Sequence, residues 1–228
     1  LQVFRRKSYW IVIALGMLNF LLFWSIIYGV TQFNLPAEAQ RDLLREFGFS
    51  AQPEDVMSSG YFEFMNRQSL IVMILLAFSG SLLVGADFRL NSMPFYLSRR
   101  IDRAHYIAGK LLAVSAVVSV LTVIPALLLW VEYGMFTSSF DYWWNSWNVP
   151  VAILTYGIVL CTVLSVLLVT LSAYLQKMAP IAITWSSLFV MLATLAGQLE
   201  NATDSLYWTL IDPWRDMRYV GRLAFGAS

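Results

Sequence analysis

The sequence predicts an all-α integral membrane protein, a polytopic helical bundle of five spans with a cytoplasmic N-terminus. Three observations carry that prediction. Hydrophobic residues make up 59% of the 228 and charged residues only 13%, and mean hydropathy is +0.65, a balance expected of a membrane protein. Apolar runs recur at lengths that cover the ~30 Å hydrocarbon core at about 1.5 Å per helical residue. The charges lie between those runs, sorted by loop, so the net charge of +1 hides basic and acidic loops.

Arg5, Arg6 and Lys7 precede the first run, about residues 9–30. Cations at a span start resist translocation and hold the N-terminus inside. The run is too long for a secretory signal, and no small-residue cleavage pattern follows it. Residues 31–68 form the first external loop, with Glu38, Asp42, Glu46, Glu54, Asp55 and Glu63 against Arg41, Arg45 and Arg67. Pro36 can open a helix there, Gly48 can close it, and Pro53 can open a second helix leading into the membrane. The loop reads as a packed cap or as a lid that meets substrate.

The second span covers about 69–85 and carries Ser79, Gly80, Ser81 and Gly85, small residues that let helices approach closely. Residues 86–110 return the chain through the cytoplasm. The third span, about 111–131, contains Pro125, a kink that neighbouring helices can tolerate. In the external loop 132–148, the run from Asp141 to Trp147 holds Tyr142, Trp143 and Trp144. Such rings suit the headgroup layer, and also sugar or lipid recognition. The fourth span is about 149–175, and a tight turn kept inside by Lys177 leads to the fifth, about 179–198. The external segment 199–228 mixes Glu200, Asp204, Asp212 and Asp216 with Arg215, Arg218 and Arg222, and adds Tyr207, Trp208 and Trp214. It predicts one or two short amphipathic helices at the outer surface. Asn201-Ala-Thr203 matches a glycosylation acceptor, a tripeptide that arises often by chance.

The chemistry the chain lacks narrows its function. Within those span limits there is no Asp, Glu, His, Lys or Arg. Proton relays, ion pathways and voltage sensors place ionisable groups inside the membrane, and embedded hydrolases need acids, bases or metal ligands. Cys161 is the only cysteine and His105 the only histidine, which argues against a disulfide or a transition-metal site made by this chain. Gly109-Lys110 has Ala104 where a phosphate-binding loop needs its first glycine. The chain therefore reads as non-enzymatic, with no catalytic residue, metal or cofactor of its own. Energy for any transport must come from another subunit.

The basic loop 86–110 is the most specific stretch. Arg89, Arg99, Arg100, Arg103 and Lys110 stand against Asp87 and Asp102, with an apolar stripe of Met93, Phe95, Tyr96, Leu97 and Ile101. As a short amphipathic helix it would lie on the membrane surface and offer a face to a cytosolic partner. The order Asp87, Ser92-Met93, Leu97-Ser98-Arg99, Asp102-Arg103 and Gly109-Lys110 resembles the loop of type-2 ABC transporter permeases, including the group linked to multicopper-enzyme maturation. Asn91, Pro94 and Arg100 stand where Gly, an acidic residue and Pro are usual. The family layout of a large first outer loop, a short fourth-to-fifth turn and late external helices is similar as well.

What the resemblance implies is a single permease domain over 1–228, an exporter subunit that pairs with a second permease copy, identical or related. A separate cytosolic ATP-binding subunit would hold ATP and Mg and receive an amphipathic coupling helix between spans two and three. Asp87, Arg89, Met93, Phe95, Tyr96, Leu97, Arg99, Arg100 and Arg103 are then the expected partner-binding residues. The other contacts expected are membrane lipids, with no nucleic acid, in a bacterial inner membrane. The family has six spans. Leu1 in place of Met and the polar stretch before Ser228 lead to the expectation that residues precede the sequence and that a sixth span follows it. The rival reading is a non-transporting scaffold or sensor that anchors a cytosolic partner through the same loop. No feature names a substrate.

Overall fold

A computed structural model describes residues 7–33, 36–46, 56–77, 103–137, 140–175 and 177–226. Its regular elements are all helical: α1 (Lys7–Gln32), α2 (Ala37–Glu46), α3 (Val56–Leu75), α4 (Arg103–Leu121), α5 (Val123–Thr137), α6 (Phe140–Asn145), α7 (Asn148–Leu175), α8 (Met178–Thr203), a 3₁₀ turn over Leu206–Ile211, and α9 (Pro213–Phe225). Three segments are long and apolar enough to cross a membrane: Ala104–Thr137, Asn148–Leu175 and Ala179–Thr203. Helix α1 adds a shorter apolar stretch, Ile13–Gly29. Leu112, Ile158, Ile183 and Val190 point outward from these helices and are exposed. Such faces are stable in hydrocarbon, where a helix satisfies its own backbone. The chain is a helical membrane protein.

Helices α1 and α3, and likewise α4 and α7, run in opposite directions. Asn19 of α1 meets Gln68 of α3, and one turn on from each, Phe23 meets Phe64. Between α4 and α7, the Ser119 hydroxyl lies 3.2 Å from the Cys161 thiol. Farther along, Val123 meets Gly157, where a Cβ would overlap the valine, so the close approach requires glycine. The Trp185 indole of α8 donates to the Met73 carbonyl of α3 at 3.0 Å. Phe64, Met65, Val72, Val118, Leu129, Ile153, Leu160, Leu164 and Leu168 fill the interior between these helices.

The proline in the third apolar run acts where its chemistry requires. Pro125 has no N–H for the Leu121 carbonyl, and the helix breaks between α4 and α5 at Thr122. The Thr122 hydroxyl donates to the Val118 carbonyl at 2.7 Å. The Ala126 amide then bonds the Thr122 carbonyl at 3.2 Å and resumes the ladder.

The element bounds differ from the sequence expectation in one important place. Helix α3 begins at Val56, close to where a helix leading into the membrane was expected after Pro53, but residues 56–68, expected in the external loop, are packed into the bundle. Tyr61, Phe62, Phe64, Met65, Gln68 and Ser69 are buried. The charges that suggested a loop are accommodated locally. Arg67 pairs with Glu63 one turn away at 3.1 Å and lies over the Phe23 ring. Helix α2 begins directly after Pro36, as expected; Gly48 and Pro53 lie outside the described residues, as do Ser79, Gly80, Ser81 and Gly85. Helix α8 continues to Thr203 rather than ending near 198, and α1 extends beyond 9–30 at both ends.

Candidate functional site

The end of the bundle where α1, α5 and α8 finish and α3 and α7 begin is rich in rings and fixed polar groups. Trp130 and Tyr133 of α5 meet Tyr142 and Trp143 of α6. Trp130 and Trp143 stand edge to face at 4.8 Å, and Tyr133 and Tyr142 are 5.1 Å apart. A Cβ at Gly134 would lie 2.5–2.9 Å from the Trp143 ring, so glycine there admits the indole. The Ser146 hydroxyl donates to the Tyr142 carbonyl at 2.6 Å and accepts from the Trp130 indole at 3.3 Å. Burial holds the Tyr142 phenol above its ordinary range.

Helix α9 closes this end. Its start is specified by Asp212-Pro213: the Asp212 carboxylate accepts from the amides of Trp214 at 3.0 Å and Arg215 at 3.3 Å, and Pro213 occupies the first helical position. Its end is Gly226, left-handed at φ 66°, whose amide bonds the Arg222 and Leu223 carbonyls. Met217, Gly221 and Phe225 form the buried stripe. Phe225 lies 6.2 Å from Phe62 of α3 and 6.4 Å from Tyr156 of α7, centroid to centroid. Arg215 clamps α9 to α8 by a forked pair with Glu200 at 2.6 and 3.3 Å. The Trp208 indole donates to the Thr203 hydroxyl at 2.8 Å, tying down the 3₁₀ turn. Asp216, on the same helix, has its carboxyl pushed up by burial and by the nearby Asp212 charge.

The opposite stripe of α9 opens a concavity of about 410 Å³, lined by Asp212, Trp214, Arg215, Arg218, Tyr219 and Arg222. Arg215 is committed to Glu200. Arg218 has a buried Nε with no hydrogen-bond partner among the described residues. Arg222 is exposed on the same side. Two guanidinium groups thus face one wall-lined space beside an indole and a phenol.

Of the residues expected to bind a partner, Asp87, Arg89, Met93, Phe95, Tyr96, Leu97, Arg99 and Arg100 lie outside the described residues. Arg103 opens α4. By chain direction α3 finishes and α4 starts at the end of the bundle away from α9. There Lys110 lies 5.0 Å over the Tyr106 ring, and His105 is exposed. Among the described residues no three His, Cys, Asp or Glu side chains gather as a metal site. The arginine-lined concavity is absent from the sequence expectations. Its signal was available: Arg215, Arg218 and Arg222 fall at i, i+3 and i+7, one face of any helix that Asp212-Pro213 starts.

No protein-family model, curated protein or solved structure matches the chain.

Proposed function

We propose that the chain is the membrane-spanning permease subunit of a type-2 ABC transporter, working as an exporter of hydrophobic or lipid-like material in a bacterial inner membrane. Five spans run from a cytoplasmic N-terminus, a second permease copy completes the pathway, and a cytosolic ATP-binding subunit supplies the energy through residues 86–110. The observation that carries this reading is the contrast between a basic, amphipathic loop and the apolar runs 9–30, 69–85, 111–131, 149–175 and 179–198, which hold no ionisable residue. The packing supports it. Among the described residues, the buried polar side chains of the long helices are Asn19, Gln68, Ser69, Thr122, Ser165 and Ser172, none of which carries charge at neutral pH. None of these can relay a proton or hold a driving cation by charge, and the ionisable pair within the packed part of α3, Glu63 and Arg67, is closed on itself at 3.1 Å, which favours an outside energy source. The apolar stripe Met93, Phe95, Tyr96 and Leu97 suits insertion into a cleft, with Arg99, Arg100 and Arg103 orienting it by paired hydrogen bonds to carboxylates.

The test is co-purification of the chain with its ATP-binding subunit, with ATPase rates measured in neutral and anionic nanodiscs. Replacing Phe95, Tyr96 and Leu97 together by Ala removes apolar area worth about 25 cal/mol per Å² on docking. Arg99→Glu and Arg103→Glu add repulsion against an acidic cleft. The expected result is normal insertion with loss of the ATPase and of substrate-stimulated hydrolysis. Retained association and coupled activity in neutral lipid, with all three apolar residues removed, would refute the coupling role. An associated ATPase that never moves any substrate would favour a scaffold.

A further inference from the structure

We infer that the concavity on α9 binds the phosphate of a phospholipid headgroup, a role that does not depend on the chain being a transporter subunit. The chemistry of the wall selects the ligand. Arg218 and Arg222 sit one turn apart and face the same space; the guanidinium fork matches phosphate oxygens in pairs. Two of the nearby carboxylates are engaged elsewhere. Glu200 is held by Arg215 at 2.6 Å, and Asp212 accepts the first amides of α9. The helix start is therefore capped by its own aspartate, and the anion site is made by side chains instead. The Arg218 Nε is buried with no acceptor among the described residues, so contact with phosphate falls to the parts of Arg218 and Arg222 that line the concavity.

The position of the wall identifies the source of the phosphate. Trp214 and Tyr219 belong to the lining, and Tyr207 and Trp208 lie on the 3₁₀ turn just before α9. Indole and phenol rings concentrate where one edge is wet and the other meets acyl chain. Tyr219 of the lining is exposed, as are Tyr207, Leu210 and Leu223 near it in sequence; such side chains offer acyl chains an apolar border that free phosphate would not use. The volume of about 410 Å³ also exceeds what a single phosphate fills and accommodates a headgroup.

The test uses the full chain purified in detergent and native mass spectrometry. Phosphatidylglycerol, phosphatidylethanolamine and diacylglycerol are offered at equal concentration, with and without millimolar inorganic phosphate. One retained phospholipid per chain is expected, with diacylglycerol retained at least tenfold less. Arg222→Gln and Arg218→Gln should each lower phospholipid retention about tenfold. Arg222 is exposed, so its variant folds normally and keeps the test sharp even if Arg218→Gln disturbs packing. Equal retention by wild type and Arg222→Gln would overturn the site. Retention of phospholipid and diacylglycerol alike would overturn the role of phosphate. Full displacement by inorganic phosphate, with no advantage to the lipid, would overturn the lipid as its source.

Discussion

Gly221→Ala sets two opposing effects against each other at the seat of α9. Alanine in a helix interior is favoured over glycine by about 0.5–1 kcal/mol through backbone entropy. Against this stands the space available. A Cβ at position 221 would lie 2.8 Å from Phe62 Cε2 and 2.8 and 2.9 Å from Tyr156 Cε2 and Cζ. Carbon atoms rest at about 3.5–4.0 Å, so the methyl overlaps two rings at once. Both rings are buried and packed, tilted or edge to face, in the Phe62–Tyr156–Phe225 cluster, so neither can swing out of the way. Overpacking of this kind costs about 1–3 kcal/mol, and the clash wins. The net expectation is a loss of roughly 1–2 kcal/mol in the docking of α9. Hydrogen exchange of 213–225 in nanodiscs reads it directly, since 1.4 kcal/mol is about a tenfold change in an opening equilibrium. Gly197→Ala in α8 is the control, because nothing lies within 4 Å of its Cβ position, and it should leave that exchange unchanged. If Gly221→Ala protects 213–225 as well as wild type does, α9 is not seated on those rings.

Three further outcomes are expected. Asn19→Leu or Gln68→Leu alone strands one half of a buried 2.8 Å hydrogen bond, at about 1–3 kcal/mol, while the double replacement recovers most of that loss; additive losses in reversible unfolding would show the pair is not coupled. The raised carboxyl of Asp216 gives a stability term fully present below the ordinary aspartate range and lost as pH rises through its higher folded value, so Asp216→Asn should flatten that decline in α9 protection and raise protection at neutral pH; an unchanged pH profile would count against it. Single cysteines at Ser50 and Ser98, in a Cys161→Ser background that keeps a hydroxyl near Ser119, should label from opposite sides with an impermeant reagent, and labelling of both from outside would end the five-span topology.

Much of the bundle was legible because membrane helices must be long and uniformly apolar. The runs 149–175 and 179–198 needed only that rule, and the structure has helices there at Asn148–Leu175 and Met178–Thr203. Helix α3 was harder. Its first turns contain Glu63, Asn66, Arg67 and Gln68, which lower hydropathy and mimic a loop. What makes them helical and packed is held by partners far away in sequence: Asn19 for Gln68 and Phe23 for Arg67. Composition within a window cannot register such pairings. Helix α9 was visible as an amphipathic segment, but a buried glycine at 221 gives no hydropathy signal for docking. The arginine face was readable from its spacing, whereas the concavity exists only once α9 is seated beside α8.

The placement of α3 links the two ends of the molecule. Near its start, Phe62 seats α9 and Gln68 holds α1. Near its finish, the Met73 carbonyl accepts from Trp185 of α8, and α8 in turn holds Arg215 of α9 through Glu200. These contacts form a closed circuit: α3 to α9 through rings, α9 to α8 through an ion pair, and α8 back to α3 through an indole. The strengths of its links differ. The exposed Arg215–Glu200 pair is worth at most about 1 kcal/mol in water, whereas a buried aromatic seat of three rings contributes several times that in packed area. The weakest link therefore lies at α8–α9, on the wet side, and the strongest at α3–α9. A displacement of α3 from the loop end would carry α9 with it and part first at Glu200. The concavity would change shape at its Arg215 edge, while the later turns of α9 stay seated on the rings through Gly221 and Phe225.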